Sequence, residues 1–486
     1  MIHSALSGHY SAFDDEDRLC GWWIHRKLEK LPDRVISTLD DDGVKENNLP
    51  DCPRALGELD AMKPEASRLI QAIADGMRPG GDLVRELLAL GDDNVSTAEE
   101  ATIICDTVAV LLARTFHHHD DSACAAFPVL LGLFESIVCK EAMHVMQEQG
   151  LPLLYAAFDH ALSCERLDAD DLLLILKVFA IHGTRDGAER IVRAAQLGIA
   201  SQRTMWSVIL EQFDEEHPQS VFMINRLKDS LLLGTLGIAY LQRANRLAAV
   251  GAIQRHPFDT DARCRQMTAW LRDADHLRHL QAAIAVAASL PYLDQTRGRD
   301  LLALALDHHS PCVQIEAAVS TIRLGNLSAR KLLIRWCSDP RYSRIAMRSL
   351  RFLGWVDAVP AGCCHPDFLA TADLCQWLSQ PNEYGRPPDR IELMDTRVLY
   401  WPPTDDLRQV WLFSYHYDDH ECSGGVGMVG SVTCSLIGET TSDLPAADVY
   451  ALHCCCELQN NGDRRAPRYR SVKAGKTLVD RYNRSM

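Results

Sequence analysis

Near the C-terminus, Gly425-Val426-Gly427-Met428-Val429-Gly430 has the G-x-G-x-x-G spacing that cradles a dinucleotide pyrophosphate. That chemistry needs a strand before the glycines and a helix after them, so that the helix N-terminus meets the phosphate. The residues that follow, Ser431 to Ile437 (SVTCSLI), read as a strand, and no βαβ pattern surrounds them. The glycines are therefore expected in a turn or bulge of a β-hairpin. Gly475-Lys476-Thr477 imitates the end of a phosphate-binding loop. The first glycine of that motif would fall on Arg470, and the nine residues after Thr477 cannot supply the supporting helix and sheet.

Thiols and imidazoles gather in three places: His117-His118-His119 with Asp120-Asp121, Cys363-Cys364-His365, and His453-Cys454-Cys455-Cys456. Zinc requires four converging ligands, commonly from C-x-x-C knuckles. Adjacent cysteines point apart, and no C-x-x-C spacing occurs in the chain. The cysteines are expected to be core thiols and the histidines an inter-helix loop, with Cys363, Cys364, His365 and Cys375 the nearest approach to a ligand set. There is no G-x-S-x-G elbow and no Cys/His nucleophile signature, so no catalytic residue, metal or cofactor is assigned. The runs Asp14-Asp15-Glu16-Asp17 and Asp40-Asp41-Asp42 lack the alternating ligand spacing of a calcium loop and read as solvated loop.

The remaining chemistry is cationic. Arg341, Arg344, Arg348 and Arg351 recur at three- and four-residue steps, which places them on one face of a helix. Such a row can meet phosphate or an acidic peptide, or can be neutralised by nearby acids. A second group, Arg464-Arg465, Arg468 and Arg470, reads as solvated loop.

The elements that must carry these groups are mostly helical. The chain has 486 residues, 47% hydrophobic and 24% charged, the composition of a folded protein. Its formal net charge of -16 opposes general binding to nucleic acid or anionic lipid. Met1 to Cys20 lacks the features of a secretory signal, and no apolar run is long enough to span a membrane. Seventeen cysteines without such a signal imply free thiols, so a cytoplasmic protein is expected.

From about residue 65 to 360 the apolar pattern is helical. Leu172, Ile175, Leu176, Phe179 and Ala180 make one stripe; Ile315, Ala318, Val319 and Ile322 a second; Ala329, Leu332, Leu333, Trp336 and Cys337 a third. Gly183, Gly325 and Gly354 stand where helix ends want a left-handed residue. Asp168, Ser310 and Asp339 stand at N-caps, with Pro311 and Pro340 in first turns. Pro311, Ala317, Ser320, Leu324, Gly325 and Ala329 recur 29 residues later as Pro340, Ala346, Ser349, Leu353, Gly354 and Ala358. A unit that cannot bury its own apolar face stacks on copies of itself.

The segment Ser310 to Pro340 resembles the short HEAT-like repeat named after phycobilisome lyases. Val313, Ala317-Ala318, Leu324-Gly325-Asn326 and Ala329 stand at that family's positions, while the arginine expected after the valine is Gln314. A looser copy runs from Phe179 to Ala195. The resemblance implies a mainly α fold, an α-solenoid of antiparallel helix pairs forming an ARM-type superhelix, and a binding surface whose ligand it does not name.

The expected organisation is a polar segment over 1–64 with one helix, a HEAT-like solenoid over 65–360, a linker over 361–387, and a small α+β module over 388–486. In that module Val410 to Tyr417 and Val426 to Ile437 read as strands and Leu444 to Leu458 as a helix. The expected function is a non-catalytic scaffold or adaptor for protein–protein interaction. Two alternatives stand beside it: a lyase-like enzyme or accessory subunit with a site near His416 and Cys434, and nucleic-acid binding along the arginine face. Oligomeric state is not legible.

Overall fold

The computed structural model describes the chain from Cys139 to Thr477, with gaps at 165–168, 274–276, 381–382, 402–405, 419–423, 431–432, 437–444 and 452–475, and a few isolated earlier positions. The expectations for residues 1–64, Asp168, His117–His119, Asp120–Asp121, Cys454–Cys456 and Arg464–Arg470 lie outside the described residues. The described part is mainly helical, with one small antiparallel sheet. It divides into two compact units, one within Leu19–Thr260 and one taking in Asp261–Met486. The single array expected over 65–360 is thus divided at 260/261, after the irregular stretch that follows the last helix of the first unit.

The first unit contains α1 Lys140–Val145, α2 Leu151–Cys164, α3 Ala169–His182, α4 Arg185–Leu197, α5 Met205–Glu211, α6 Ser220–Leu227 and α7 Gly234–Ala249. Gly183, at φ 63°, ends α3, and the Thr184 hydroxyl accepts from the Gly187 amide to start α4. This two-residue connection makes α3 and α4 antiparallel neighbours. Alternate helices also meet: α3 packs on α5, α5 on α7, and α4 on α6. The predicted stripe on α3 is buried throughout, from Leu172 to Ala180.

The second unit contains α8 Asp261–Arg272, α9 Leu277–Ser289, α10 Gln295–Leu306, α11 Pro311–Arg323, α12 Arg330–Cys337, α13 Pro340–Phe352 and α14 Pro366–Leu378. Here too α8 packs on α10, α9 on α11, and α11 on α13, while neighbours in sequence pack from α11 through α14. The 29-residue repeat is α11 and α13. Pro311 and Pro340 open them, and Gly325 and Gly354 close them at φ 94° and 77°. Ala317, Ser320, Ala346 and Ser349 are buried at the crossings, where small side chains let backbones approach. Ser320 Oγ donates to the Ala287 carbonyl of α9 at 2.6 Å. Asp339 caps α13 by accepting from the Arg341 amide, whereas Ser310 stands at its cap position without a side-chain capping bond.

The expected linker over 361–387 is corrected. Pro366 starts α14, a thirteen-residue helix preceded by short 3-10 turns at Val356–Ala358 and Ala361–Cys364. Ala370, Leu374 and Leu378 recur every fourth residue, and all three are buried against the sheet. Pro366 sits in the first turn of that helix, where no amide bond is lost, and Pro387 and Pro388 follow it, ahead of β1.

The sheet has the order β1-β2-β3-β4, all antiparallel: β1 Arg390–Trp401, β2 Asp406–His416, β3 Gly425–Val429 and β4 Cys434–Leu436. It lies between two helical layers. Phe413, Tyr415, Tyr417 and Val429 face α14; Val410, Leu412, Val426 and Met428 face Val449 and Tyr450 of a helix at 446–451. Because β2 is buried on both faces, its sequence reads as a nearly continuous apolar run. Trp411 Nε1 donates to the Asp367 carboxylate at 2.7 Å and ties β2 to the start of α14.

Gly427 explains the glycine-rich segment. It lies in β3 opposite Phe413, and a Cβ there would stand 2.5 Å from Cδ2 of Leu374. The glycine makes room for helix–sheet packing, and the segment is a strand followed by a turn. Gly427→Ala is expected to cost about 1–3 kcal/mol by overpacking. Adding Leu374→Ala removes the obstructing methyls, so thermal melts of the double variant will show a loss smaller than the sum of the single losses.

Candidate functional site

The arginine row falls on α13, and the helix that follows it turns the row into a cleft. Arg344, Met347, Arg348 and Arg351 of α13 face Asp373 and Gln376 of α14 across a cleft of about 290 Å³. Pro340 and Asp339 fix where α13 begins, and the three- and four-residue steps then aim three guanidiniums the same way. Small and apolar residues on its opposite face, Ser343, Ala346 and Leu350, are buried and hold the helix in place.

The four arginines do not share one role. Arg341 stays at the helix N-terminus, where its Nε and Nη2 donate to the Asp339 carboxylate at 3.0 and 2.8 Å. The hydrogen bond from the Asp418 amide, then Arg386 and least of all Arg341, hold Asp389, at the entrance to β1, below the usual carboxylate range. Arg344 is half-buried. Its Nη2 donates to Asp373 Oδ2 at 2.5 Å and to the Leu369 carbonyl at 3.2 Å, and its Nε is buried without a hydrogen-bond partner. This bonding makes Arg344 a fixed wall of the cleft. Arg348 is partly buried beside it, and Arg351 is exposed at the far end.

Three arginines against one aspartate leave the lining with two net positive charges, on a chain whose formal charge is -16. Guanidinium and amide groups are suited to recognising an anion, and the one carboxylate is held by Arg344. Asp373 and Gln376 were not anticipated. They belong to the helix read as linker, and the signal that would have found it is the spacing of Ala370, Leu374 and Leu378.

The other candidates separate. Cys375 and Cys363 are buried, Cys364 is exposed, and the His365 side chain sits 3.7 Å from Asp367 at the start of α14. Burial pushes the Cys375 and Cys337 thiols up to about 12, so both behave as small apolar groups. Among the described residues no group of three or more His, Cys, Asp or Glu is placed to hold a metal ion. His416 ends β2 on the exposed side, 3.8 Å from Asp418, and Cys434 opens β4 opposite Met428. Lys476 and Thr477 are helical.

Among the described residues no helix is long and apolar enough to cross a membrane. No protein-family model, no curated protein and no solved structure matches the chain.

Proposed function

We propose that this chain is a non-catalytic scaffold or adaptor, a HEAT-like array whose Arg344–Arg348–Arg351 cleft receives an acidic segment of a protein partner. The cleft carries the reading: a built cationic concavity between two packed helices of an acidic chain. The packing of α3 on α5, α5 on α7, α9 on α11 and α11 on α13, with neighbour contacts from α11 through α14, is of the kind a superhelical array has, and it supports the solenoid part of the proposal. Phosphate backbones are the weaker candidate, because the formal charge of -16 opposes a long polyanion more than a short acidic segment. The lyase-like alternative draws no support from the glycine segment, which serves packing against Leu374.

The test is affinity capture with tagged wild-type chain and the double reversal Arg348→Glu/Arg351→Glu, followed by quantitative mass spectrometry. A stoichiometric protein partner is expected with the wild type, its recovery falling by about tenfold or more with the reversal, which corresponds to at least about 1.4 kcal/mol. Equal recovery by both chains removes the cleft from the reading. Tight binding of a labelled RNA or DNA at low salt, abolished by the same reversal, replaces the protein partner with nucleic acid.

A further inference from the structure

The sheet ends on one side in an open edge. β1 pairs with β2 from Arg390 to Trp401, and no strand among the described residues lies on its other side. Proteins blunt such edges with short strands, proline, charged side chains or bulges. β1 carries Arg390, Glu392, Asp395 and Arg397, but it is the longest strand of its sheet at 12 residues, and RIELMDTRVLYW contains no proline or lysine. Its one irregularity is the register shift at Met394. Leu393, Met394 and Val398 are 43%, 45% and 60% exposed. Outward N–H and C=O groups beside exposed apolar side chains form a template for another strand.

The sequence of β1 indicates which strand. When two copies pair antiparallel about a two-fold axis normal to the sheet, each side chain keeps its face, so facing residue numbers share a constant even sum. Centred on Thr396, Asp395 faces Arg397 of the second copy and Arg397 faces its Asp395. Met394, at the bulge, then lies across from Val398 at both ends of this pair. Centred on Asp395 or on Arg397, a charge would face its own copy. Centred on Met394 or Val398, charged residues would face leucine. Only the Thr396 register in this set matches both charge and apolar pairs.

We propose that β1 is a dimerisation strand, joining two copies of this chain edge to edge about Thr396 into one continuous sheet. Within each copy Arg397 Nε already donates to Asp395 Oδ2 at 2.6 Å, and the guanidinium lies 5.0 Å from the Tyr450 ring, which holds it on that face. Doubling this pair across the axis makes four charges alternating in sign. A strand pair alone buries less than the roughly 1,200–2,000 Å² of a stable interface, so the dimer is weak and concentration-dependent.

Sedimentation velocity of the full chain between about 1 and 100 μM tests it. The wild type is expected to shift from monomer to dimer across that range. D395R sets two arginines against each other at both cross-strand positions, and R397E sets two acids, so each alone stays monomeric. An equimolar mixture of the two restores opposite charges at both positions and associates again. That recovery also shows that both variants are folded. A wild type that remains monomeric at about 100 μM overturns the proposal and leaves the edge to a strand of another protein. So does a dimer that either single reversal leaves intact, or a mixture that fails to associate.

Discussion

Replacing Arg243 with methionine is expected to lower the stability of the Leu19–Thr260 unit by about 3 kcal/mol, a fall of roughly 6–12 °C in its melting temperature. Arg243 lies on α7 and is 5% exposed. Its Nε donates to the Leu210 carbonyl at 2.8 Å and its Nη2 to the Glu211 carbonyl at 2.7 Å. These are the last two carbonyls of α5, and the Leu210 carbonyl also accepts from the Phe213 amide just beyond the helix at 3.3 Å. The guanidinium is therefore a buried cap, placed at the negative end of a helix dipole. Methionine fills much of the volume but removes both guanidinium bonds, leaving the Leu210 carbonyl only the Phe213 amide, and each charge-assisted bond is worth about 1.5–3 kcal/mol. Burial alone would penalise the cation, and it holds the Arg243 pKa down at about 10; that value still leaves it charged at neutral pH. Lysine keeps the charge but cannot reach two carbonyls in one plane, so Arg243→Lys recovers only part of the loss. Differential scanning calorimetry of the three chains decides it. Equal melting of wild type and methionine variant would show that the two bonds add nothing to stability.

The second large effect is a response to acid with opposite signs in the two units. His256 is buried at 3% exposure, and burial pushes its pKa down to about 4. Its Nδ1 accepts from the Phe258 amide and its Nε2 meets Asn245 Oδ1 at 3.0 Å, an arrangement for the neutral ring that Asp259 only partly offsets. The unfolded imidazole takes up a proton near pH 6.5 and the folded one does not. This contribution is thus present above pH 6.5 and lost as the pH falls toward 4, by about 3 kcal/mol in all. Glu316, on α11 of the other unit, is pushed up to about 7 by burial, against the partial counter-effect of Arg323. Its folded carboxyl keeps a proton that the unfolded chain releases near pH 4.5, so this contribution is present below pH 4.5 and lost as the pH rises through 7. Hydrogen exchange followed by mass spectrometry, corrected for intrinsic rates, resolves the units. Between pH 7 and 5 peptides of α7 are expected to lose protection while those of α11 gain it, and His256→Gln flattens the first response. Protection that moves in the same direction in both units would defeat this account.

Helix ends were legible from the sequence because they are governed by local chemistry. Pro311, Pro340, Gly325 and Gly354 each act through their own backbone, and the structure places them at the first turns and left-handed ends they specify. Two elements escaped for reasons that are not local. β1 breaks its period of two at the Met394 bulge and exposes most of its side chains, so it lacks the apolar alternation that marks a half-buried strand. α14 hides among prolines and cysteines, and its apolar face is narrow and explained only by the sheet it covers. The cleft needed both partners. Its arginines lie on one helix and can be counted in sequence, but whether they are wall or bare surface depends on Asp373 and Gln376, which only the fold brings opposite.

The insertion of 3-10 turns ahead of α14 constrains how such a chain can change length over evolutionary time. Helix arrays gain and lose members by duplication because each meets only its neighbours. In the array proposed above, α11 and α13, with prolines in their first turns, glycines past their ends and small buried residues at matching positions, keep that freedom. α14 does not: Leu374 is keyed into the space above Gly427, and Asp367 is bonded to Trp411, so a copied helix placed after it would have to displace the sheet. Growth on this side is closed, and duplication in this unit is confined to the helices ahead of Pro366.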